Sequence, residues 1–581
     1  MSSLLSIKNL SIQFNYEGET GKAVNNISID VSPGEIVAIV GESGSGKSVT
    51  ALSVLQLLPK QISITGNIFF SPKDGETIDL LQLPADKINT IRGHRIAMIF
   101  QEPMTSLNPV LTCGQQVMEA IRAHQKVSKK IAKERTSALF EKVKLPDPAS
   151  ILDRYPHQLS GGQKQRVMIA MAMCCDPMLL IADEPTTALD VTVQKSILEL
   201  IASLQLQNNM AVILITHDFG LVADIADTIA VMHKGEIVEQ GNASDILHSP
   251  KHPYTKALLA CRPSGKYKGK RLPVVEDFLG KSEILDTGYS ILDTPDSRLP
   301  TPDLSERQAG WQMDTTVLAV KNLTVAFPEK KNIFGKARQF FKAVDSVSFT
   351  VQKGETIGLV GESGCGKTTL GRAILQLIRP TLGEILLNGK DISQIKPATL
   401  RDMRKDLQIV FQDPYGSLNP RITIGDAILE PLKVHNIMNT DKQRREKVTD
   451  LLEKVRLPSD LVNRYPHQFS GGQRQRICIA RALALSPSFL VFDESVSALD
   501  VSVQAQVLNL LSDLKKEFGF TAIFISHDLS VVHYACDRIL VMRRGKIIEE
   551  GSADEVFYHP GNEYTQQLIN AIPGKKLAQS S

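Results

Sequence analysis

Two glycine-rich stretches carry the most specific chemistry in this sequence. Each follows a short apolar run and precedes a helical pattern, so backbone N–H groups and a helix N-terminus can surround phosphate oxygens. Lys47 and Lys367 are predicted to reach the β- and γ-phosphates of a nucleotide, and Ser48 and Thr368 to offer hydroxyls to Mg²⁺. The predicted phosphate-binding residues are Gly41, Glu42, Ser43, Gly44, Ser45, Gly46, Lys47, Ser48, Gly361, Glu362, Ser363, Gly364, Cys365, Gly366, Lys367 and Thr368.

Adjacent carboxylates form the second chemical element. Asp183 and Glu184 follow the apolar residues 179–182, and Asp493 and Glu494 follow the apolar residues 489–492. A buried strand would deliver both carboxylates to the edge of the sheet that holds the glycine-rich loop. Asp183 and Asp493 suit the Mg²⁺ side. Glu184 and Glu494 suit a general base or a residue that orients water.

These elements occur twice because the chain repeats itself once. A Ser-Gly-Gly-Gln stretch begins at Ser160 and again at Ser470, and a histidine-aspartate pair begins at His217 and again at His527. The order of the motifs is the same in both halves. The first half has a longer polar insertion near residues 71–87, which indicates a surface loop.

Composition limits the class of protein. The 581 residues are 42% hydrophobic and 22% charged with a net charge of +3, which is typical of folded domains and does not indicate a dominant nucleic-acid surface. No apolar run reaches the roughly 18–20 residues that span a bilayer, and the N-terminus does not resemble a secretory signal. We therefore expect a cytoplasmic chain. The seven cysteines form no Cys-x-x-Cys pair, so no zinc or disulfide framework is expected.

The coarse pattern predicts an α/β fold in each half. Residues 5–14 and 318–327 alternate as half-exposed antiparallel strands, and the short apolar runs before the motifs are typical of buried parallel strands. Mainly helical insertions are expected near residues 112–155 and 423–465. We predict two domains, residues 1–263 and 315–581, joined by an exposed linker at residues 264–314 that is rich in Pro, Asp and Ser.

The ordered motifs resemble those of the ATP-binding cassette (ABC) ATPases over both halves. The resemblance implies two tandem P-loop NTPase domains, each with a parallel-sheet core, an antiparallel β flank and a helical subdomain. Residues 159–163, Leu-Ser-Gly-Gly-Gln, are similar to the family signature, and residues 469–473 differ only by Phe for Leu. The implied ATP-binding residues here are Ser160, Gly161, Gly162, Gln163, Ser470, Gly471, Gly472 and Gln473.

Several roles are implied by this resemblance alone. In the family the signature acts across a dimer of cassettes, so Ser160 is expected to cap the ATP held by Lys367, and Ser470 the ATP held by Lys47. The two cassettes of this chain would form that dimer intramolecularly. Other implied roles are the Mg²⁺- and water-contacting glutamines Gln101 and Gln412, the γ-phosphate switch histidines His217 and His527, and the loop aspartates Asp190 and Asp500. An adenine-stacking aromatic is also implied: Phe14 or Tyr16 in the first half, while in the second half Phe327 is one choice and the assignment stays open because of the insertion before Ala343.

Two departures from the first half occur in the second. Cys365 replaces Ser45, and Ser495 follows Glu494 where Pro185 follows Glu184. Neither change removes a phosphate ligand, a catalytic carboxylate or a switch histidine. Both sites are therefore expected to be chemically complete, with ATP and Mg²⁺ as their ligands.

Three functions fit a tandem cassette without membrane spans. A DNA-repair ATPase would carry zinc-binding cysteine pairs, and a tandem-cassette translation factor acting on ribosomes would carry a long charged helical linker. Residues 248–259 and 559–568 instead resemble the C-terminal segments of the oligopeptide/dipeptide/nickel importer family, as do residues 101–109 and 412–420. The fusion resembles the single-chain ATPases of glutathione and microcin-type peptide importers.

The importer interpretation implies particular partners. These are two transmembrane permease subunits and, indirectly, an extracytoplasmic solute-binding protein. The chain is expected to lie peripherally on the cytoplasmic face of the inner membrane, with no nucleic acid. Only Cys261 lies near the first C-terminal segment, so no iron–sulfur cluster is expected. Peptides, glutathione, nickel and opine-like solutes remain open as substrates.

Overall fold

The computed structural model describes residues 3–16, 19–59, 61–72, 76–101, 106–187, 189–279, 316–331 and 337–574. The chain divides into two compact units. The main part of the first is Met1–Arg262, and that of the second is Pro263–Leu499 with Val503–Ile569. Each unit has its own buried hydrophobic core.

The first unit contains two sheets. The antiparallel sheet has the strand order β2-β1-β4-β5, and the larger sheet has the order β10-β9-β3-β8-β7-β6. The strands are β1 (Leu5–Tyr16), β2 (Glu19–Val31), β3 (Ile36–Val40), β4 (Ile62–Phe70), β5 (Ile78–Asp79), β6 (Ile96–Ile99), β7 (Leu179–Asp183), β8 (Ala211–Thr216), β9 (Thr228–His233) and β10 (Glu236–Asn242).

The antiparallel sheet explains an irregularity in the sequence pattern. Leu5 and Ile7 are buried, as are Leu10 and Ile12, but the two pairs are three residues apart rather than two. A register shift lies between them, where Asn9 adopts a φ of 49°. The extra residue of this bulge restores the inward direction of the apolar side chains after the break.

The larger sheet is mainly parallel, as the buried apolar runs predicted. Strands β6, β7, β8, β3 and β9 run in parallel, and β10 is antiparallel to β9. All residues of β3, β7 and β8 are buried. The carboxyl ends of the parallel strands meet along one edge, which is where such sheets place their ligands.

Helices surround this sheet and form the predicted insertion. Thr112 begins the insertion with a capping box, in which its side chain accepts from the Gln115 N–H and the Gln115 side chain accepts from the Thr112 N–H. The helices of the first unit are Lys47–Val54, Ala85–Ile91, Cys113–His124, Lys129–Lys142, Pro148–Leu152, Gly161–Ala172, Val191–Asn208, Phe219–Val222, Ala243–His248 and Pro253–Ala260.

The second unit repeats this architecture. Its sheets have the orders β12-β11-β14-β15 and β16-β17-β18-β13-β19-β20. The strands are β11 (Thr316–Lys331), β12 (Ala337–Gln352), β13 (Thr356–Val360), β14 (Leu382–Leu387), β15 (Lys390–Asp391), β16 (Leu407–Val410), β17 (Phe489–Asp493), β18 (Thr521–Ile525), β19 (Arg538–Arg543) and β20 (Lys546–Ser552). The helices are Lys367–Ile374, Pro397–Met403, Pro414–Ser417, Ile424–Val434, Asp441–Lys454, Gly471–Leu483, Val501–Phe518, Leu529–Ala535, Ala553–Tyr558 and Glu563–Asn570.

The start of the predicted linker differs from an exposed tether. Leu272 is 1% exposed, and its N–H and carbonyl both pair with the side chain of Asn509 at 2.9 Å. Lys268 Nζ lies 2.7 Å from Asp554 Oδ1. Residues 264–279 are therefore built into the second unit, and residues 280–314, which make up the rest of the predicted linker, lie outside the described residues.

Candidate active sites

The glycine-rich loop of the first unit connects β3 to the helix Lys47–Val54. Lys47 Nζ donates to the carbonyls of Gly41 at 2.8 Å and Glu42 at 2.7 Å, so the loop folds around its own lysine. Gly46 has a φ of 102°, and an added Cβ would lie 2.4 Å from the Ala23 carbonyl oxygen. Glycine is required there because both the backbone conformation and the available space exclude a side chain.

The loop has the groups that a nucleotide and Mg²⁺ would need. Ser45 Oγ is buried and has no hydrogen-bond partner within the described ranges, which leaves a polar atom ready for a phosphate oxygen. Ser48 Oγ donates to Asp183 Oδ1 at 3.0 Å. This hydroxyl and carboxylate form the all-oxygen donor set that suits Mg²⁺. The residues present therefore fit both ligands.

Glu184 lies directly after β7 and is held at several points. Its φ is 45°, an uncommon left-handed value for a non-glycine residue, and its N–H donates to the Ile215 carbonyl at 3.0 Å. Its carboxylate accepts from Gln101 Nε2 at 3.0 Å and from Thr187 Oγ1 at 2.9 Å, and it lies 3.3 Å from His217 Nδ1. The turn after the strand thus directs the carboxylate toward the predicted glutamine and histidine.

These contacts give the two acidic residues opposite pKa shifts. Burial acts to raise the pKa of Glu184, but the hydrogen bond and charge of His217 outweigh it and lower the pKa to about 2. Burial raises the pKa of Asp183 to about 6, although the Ser48 hydrogen bond opposes this. Burial acts to lower the pKa of His217, but the hydrogen bond and charge of Glu184 raise it. Glu184 is therefore ionised at neutral pH, as a proton acceptor must be.

The second unit brings together the corresponding predicted residues. Lys367 Nζ donates to the carbonyls of Gly361 at 2.7 Å and Glu362 at 3.0 Å. Thr368 Oγ1 donates to Asp493 Oδ1 at 2.9 Å, and burial raises the pKa of Asp493 against that hydrogen bond. The glycine-rich loop around its lysine and the hydroxyl–carboxylate pair are thus formed twice.

The carboxylate of Glu494 occupies the corresponding position. Its φ is 47°, and its side chain accepts from Gln412 Nε2 at 2.8 Å. His527 Nδ1 lies 3.8 Å away and Lys367 Nζ 3.9 Å away. Burial acts to raise the pKa of Glu494, but His527 and Lys367 outweigh it and lower the pKa.

Two models of known protein families match stretches of this chain. The family model described as "ABC transporter" matches residues 24–187 and 344–497, and the model for the "Oligopeptide/dipeptide transporter, C-terminal region" matches residues 238–278. The chain belongs to the ABC transporter family. It is an ATP-hydrolysing ABC protein with two cassettes, and the predicted family and fold class are confirmed.

Two curated relatives match along nearly the whole chain. "Glutathione import ATP-binding protein GsiA" of Pectobacterium atrosepticum is 46% identical over 98% of this chain and 89% of its own length. The protein of the same name from Escherichia coli strain K12 is 46% identical over 98% of this chain and 90% of its own length. A solved ATP-binding cassette dimer with ADP and phosphate is 28% identical, covers 41% of this chain and 98% of its own, and has a TM-score of 0.37.

Each signature stretch begins a helix in its own cassette. Ser160 is the N-cap of Gly161–Ala172 and Ser470 is the N-cap of Gly471–Leu483, each in a capping box with Gln163 or Gln473. Both serines are exposed, and each hydroxyl accepts from the backbone N–H of the glutamine three residues later. Exposed N–H groups at a helix start can bind an anion.

The adenine-stacking candidates differ in exposure. Phe14 is partly buried and packs against the core of the first cassette, whereas the side chain of Tyr16 lies outside the described part of the chain. Phe327 is 40% exposed in the second cassette. Its cross-strand partner Phe341, which the sequence did not single out, is 54% exposed. Both rings are therefore accessible on the hairpin formed by β11 and β12.

Thr187 is a site residue that sequence reasoning missed. Its hydroxyl donates to the carboxylate of Glu184, three residues earlier. The turn that gives Glu184 its positive φ also brings Thr187 back, with its N–H 3.2 Å from the Glu184 carbonyl oxygen. A Ser or Thr three residues after the glutamate was the available signal, since this residue type commonly bonds locally in turns.

Proposed function

We propose that this ABC ATPase supplies the energy for an importer of glutathione, peptides or related small solutes. The observation that carries the proposal is the end-to-end match, 46% identity over 98% of the chain, to proteins named as glutathione import ATP-binding proteins. The oligopeptide/dipeptide C-terminal model at residues 238–278 supports a peptide-type solute. The alternative from sequence is a translation factor that acts on ribosomes.

The chemistry we assign to each cassette is attack of water on the γ-phosphorus of ATP. Glu184 or Glu494 accepts the water proton, and the bond to the bridging oxygen breaks so that this oxygen leaves with ADP. The position of Glu184 supports this role because Gln101 and His217 hold its carboxylate at the edge of the sheet beside the loop of Lys47. Gln101 and Gln412 orient the carboxylate and water, and His217 and His527 contact the γ-phosphate.

The ligands divide among the remaining side chains. Lys47 and Lys367 leave their loop carbonyls to bind the phosphates, since the phosphates carry more negative charge than a carbonyl oxygen. Ser48 with Asp183, and Thr368 with Asp493, would hold Mg²⁺ together with Gln101 and Gln412. Bound Mg²⁺ would neutralise the charge that develops on the phosphate oxygens.

The pairing of signatures with opposite sites rests on the family resemblance. We propose that Ser160 with Gly161, Gly162 and Gln163 acts on the ATP held by Lys367, and that Ser470 and its neighbours act on the ATP held by Lys47. ATP binding then favours an associated state of the cassettes and hydrolysis favours a separated one, which requires a difference in ATP affinity between the two states. This cycle would do the work of transport.

Transport requires membrane partners that this chain must recruit. None of the helices in the described ranges is long and apolar enough to cross a bilayer. We propose that two permease subunits provide the pathway, that an extracytoplasmic binding protein supplies the solute, and that the ATPase lies on the cytoplasmic face of the inner membrane. The names of the relatives, as import ATP-binding proteins, support this arrangement.

The test is affinity purification of the tagged chain from detergent-solubilised native membranes, followed by mass spectrometry. Recovery of two multi-span permeases is the expected result, and their companion binding protein is then assayed with glutathione and short peptides. The same purification from membrane-free lysate is the matched control. Recovery of ribosomal proteins without permeases would contradict the importer proposal while leaving the ATPase assignment in place.

A further inference from the structure

A buried tyrosine near the C-terminal end of each cassette reaches its phosphate loop. Tyr254 lies on the helix Pro253–Ala260, and Tyr564 lies at the corresponding position on Glu563–Asn570. Their side chains are among the most buried aromatics, with 0% and 3% of each residue exposed. Large buried tyrosines normally direct the hydroxyl to a partner, because an unpaired buried hydroxyl is costly.

In the first cassette the partner is the second residue of the phosphate loop. Tyr254 Oη accepts from the Glu42 N–H at 3.2 Å, and it lies 3.2 Å from Glu42 Oε2, to which it donates. The ring stacks on His233, the last residue of β9, with 4.0 Å between ring centroids. Burial and the negative charge of Glu42 raise the pKa of Tyr254, so the hydroxyl keeps its proton.

The second cassette repeats the contact with a different support for the ring. Tyr564 Oη accepts from the Glu362 N–H at 3.0 Å. The Arg543 guanidinium, which occupies the position of His233, lies 4.5 Å from the centroid of the Tyr564 ring. The hydroxyl contact is therefore kept although the residue beneath the ring has changed.

The tyrosine and the phosphate-loop lysine act on one peptide group. The Glu42 N–H and the Gly41 carbonyl belong to the same peptide bond; Tyr254 binds the N–H, and Lys47 Nζ binds the carbonyl at 2.8 Å. In the second cassette Tyr564 and Lys367 bind the two ends of the Gly361–Glu362 peptide. Since a peptide bond is planar, fixing its N–H fixes the direction of its carbonyl.

We propose that Tyr254 and Tyr564 are positioning residues that orient the phosphate loops for ATP. Each hydroxyl fixes the first peptide of the loop, which in turn holds the lysine ready to move onto the phosphates. The C-terminal segment matched at residues 238–278 thereby becomes part of the nucleotide site of the first cassette. The inference rests on the proposed assignment of Lys47 and Lys367 as ATP ligands.

The experiment isolates one cassette at a time in the full-length chain. In a Lys47→Ala background only the second cassette should bind ATP, so Tyr564→Phe is compared there with the unchanged background. Tyr534→Phe is the matched control, because it also removes one hydroxyl from the second cassette, one that donates to the Lys270 carbonyl rather than to the loop. Tyr254→Phe in a Lys367→Ala background gives the reciprocal measurement.

Tyr564→Phe should weaken the Kd for ATP about 5-fold, which corresponds to about 1 kcal/mol, the usual contribution of one hydrogen bond. In the otherwise wild-type chain Tyr564→Phe should raise KM while kcat changes less than about 2-fold, because the groups around Glu494 are untouched. Tyr534→Phe should leave Kd and KM unchanged. Equal Kd values for Tyr564→Phe and Tyr534→Phe would overturn the proposal.

Two further measurements distinguish an error in the ATP-site assignment from an error in the role of the tyrosines. The Lys47→Ala/Lys367→Ala double variant should lose ATP binding; retention of binding would contradict the site assignment rather than the role of the tyrosines. If Tyr564→Phe failed to fold, 3-fluorotyrosine at position 564 would preserve the ring and change the acidity of the hydroxyl. A shift in Kd is then expected, and an unchanged Kd would refute the positioning role.

Discussion

The two cassettes hold corresponding glutamates, Glu184 and Glu494, with different side-chain contacts. In the first, Thr187 donates to the carboxylate of Glu184 at 2.9 Å. In the second, Ser497 occupies the position of Thr187, but its hydroxyl donates to the Glu494 backbone carbonyl at 2.7 Å. Both glutamates nevertheless have nearly the same φ, 45° and 47°. The backbone turn thus places the glutamate, and the side chains around it orient its carboxylate.

The two histidines also lie at different distances from their glutamates. His217 Nδ1 lies 3.3 Å from Glu184, whereas His527 Nδ1 lies 3.8 Å from Glu494. Lys367 Nζ lies 3.9 Å from the Glu494 carboxylate. Both carboxylates accept a hydrogen bond from their glutamine, and both lie near their histidine and a loop lysine. The cassettes therefore differ mainly in how closely the histidine approaches the glutamate.

The largest expected effect comes from removing the base. Glu184→Gln and Glu494→Gln should each lower hydrolysis at their own cassette by roughly 10²–10⁴-fold, because the amide cannot accept the water proton. ATP binding should persist. Single-turnover hydrolysis of γ-labelled ATP, with ATP Kd as the control, measures both quantities. Near-wild-type turnover of the double variant would contradict the assignment of these residues.

Replacing each histidine with alanine should reduce hydrolysis to different extents in the two cassettes. His217→Ala removes a hydrogen bond to a charged group, worth about 1.5–3 kcal/mol, so hydrolysis at the first cassette should fall by roughly 10–100-fold. His527→Ala should reduce hydrolysis at the second cassette by less than about 10-fold, because the longer distance to Glu494 weakens the interaction. Each variant is assayed with the opposite cassette disabled through its phosphate-loop lysine. Equal losses of hydrolysis in His217→Ala and His527→Ala would contradict the proposed difference between the two histidines.

Thr187 and Ser497 give the smallest and most specific contrast. Thr187→Val removes a donor to the Glu184 carboxylate and should reduce turnover about 5-fold, in keeping with about 1 kcal/mol for one hydrogen bond. Ser497→Ala is the matched control and should change turnover less than about 2-fold, because its hydroxyl bonds a backbone carbonyl. Steady-state kcat for each variant reports the result. A larger loss of kcat in Ser497→Ala than in Thr187→Val would contradict the expected difference between the two cassettes.

Much of the site could be predicted because its residues follow buried strands in a known order. Lys47, Gln101, Glu184 and His217 come after β3, β6, β7 and β8, so the parallel sheet brings them to one edge. Thr187 was missed because its role depends on the left-handed turn at Glu184, which hydrophobic periodicity does not specify. The adenine-stacking residue stays a prediction in both cassettes.

The sequence by itself determined the repeat, the phosphate loops and the alternation of strands and helices. These features depend on residues close together in the chain, such as the glycines around Lys47 and the apolar run that forms β3. Local spacing limits the backbone conformations available to them, and the buried runs then require a sheet covered on both faces. The cassette fold follows from these local constraints.

Only the tertiary structure decided the contacts between distant segments. Glu42 and Tyr254 are 212 residues apart, and Leu272 and Asn509 are 237 residues apart. Such pairs form when whole helices and strands pack together, and the side-chain pattern within each segment does not specify its distant partner. The packing of distant segments therefore places the His-Pro-Tyr stretch at residues 252–254, which has no chemistry of its own, beside the glycine-rich loop.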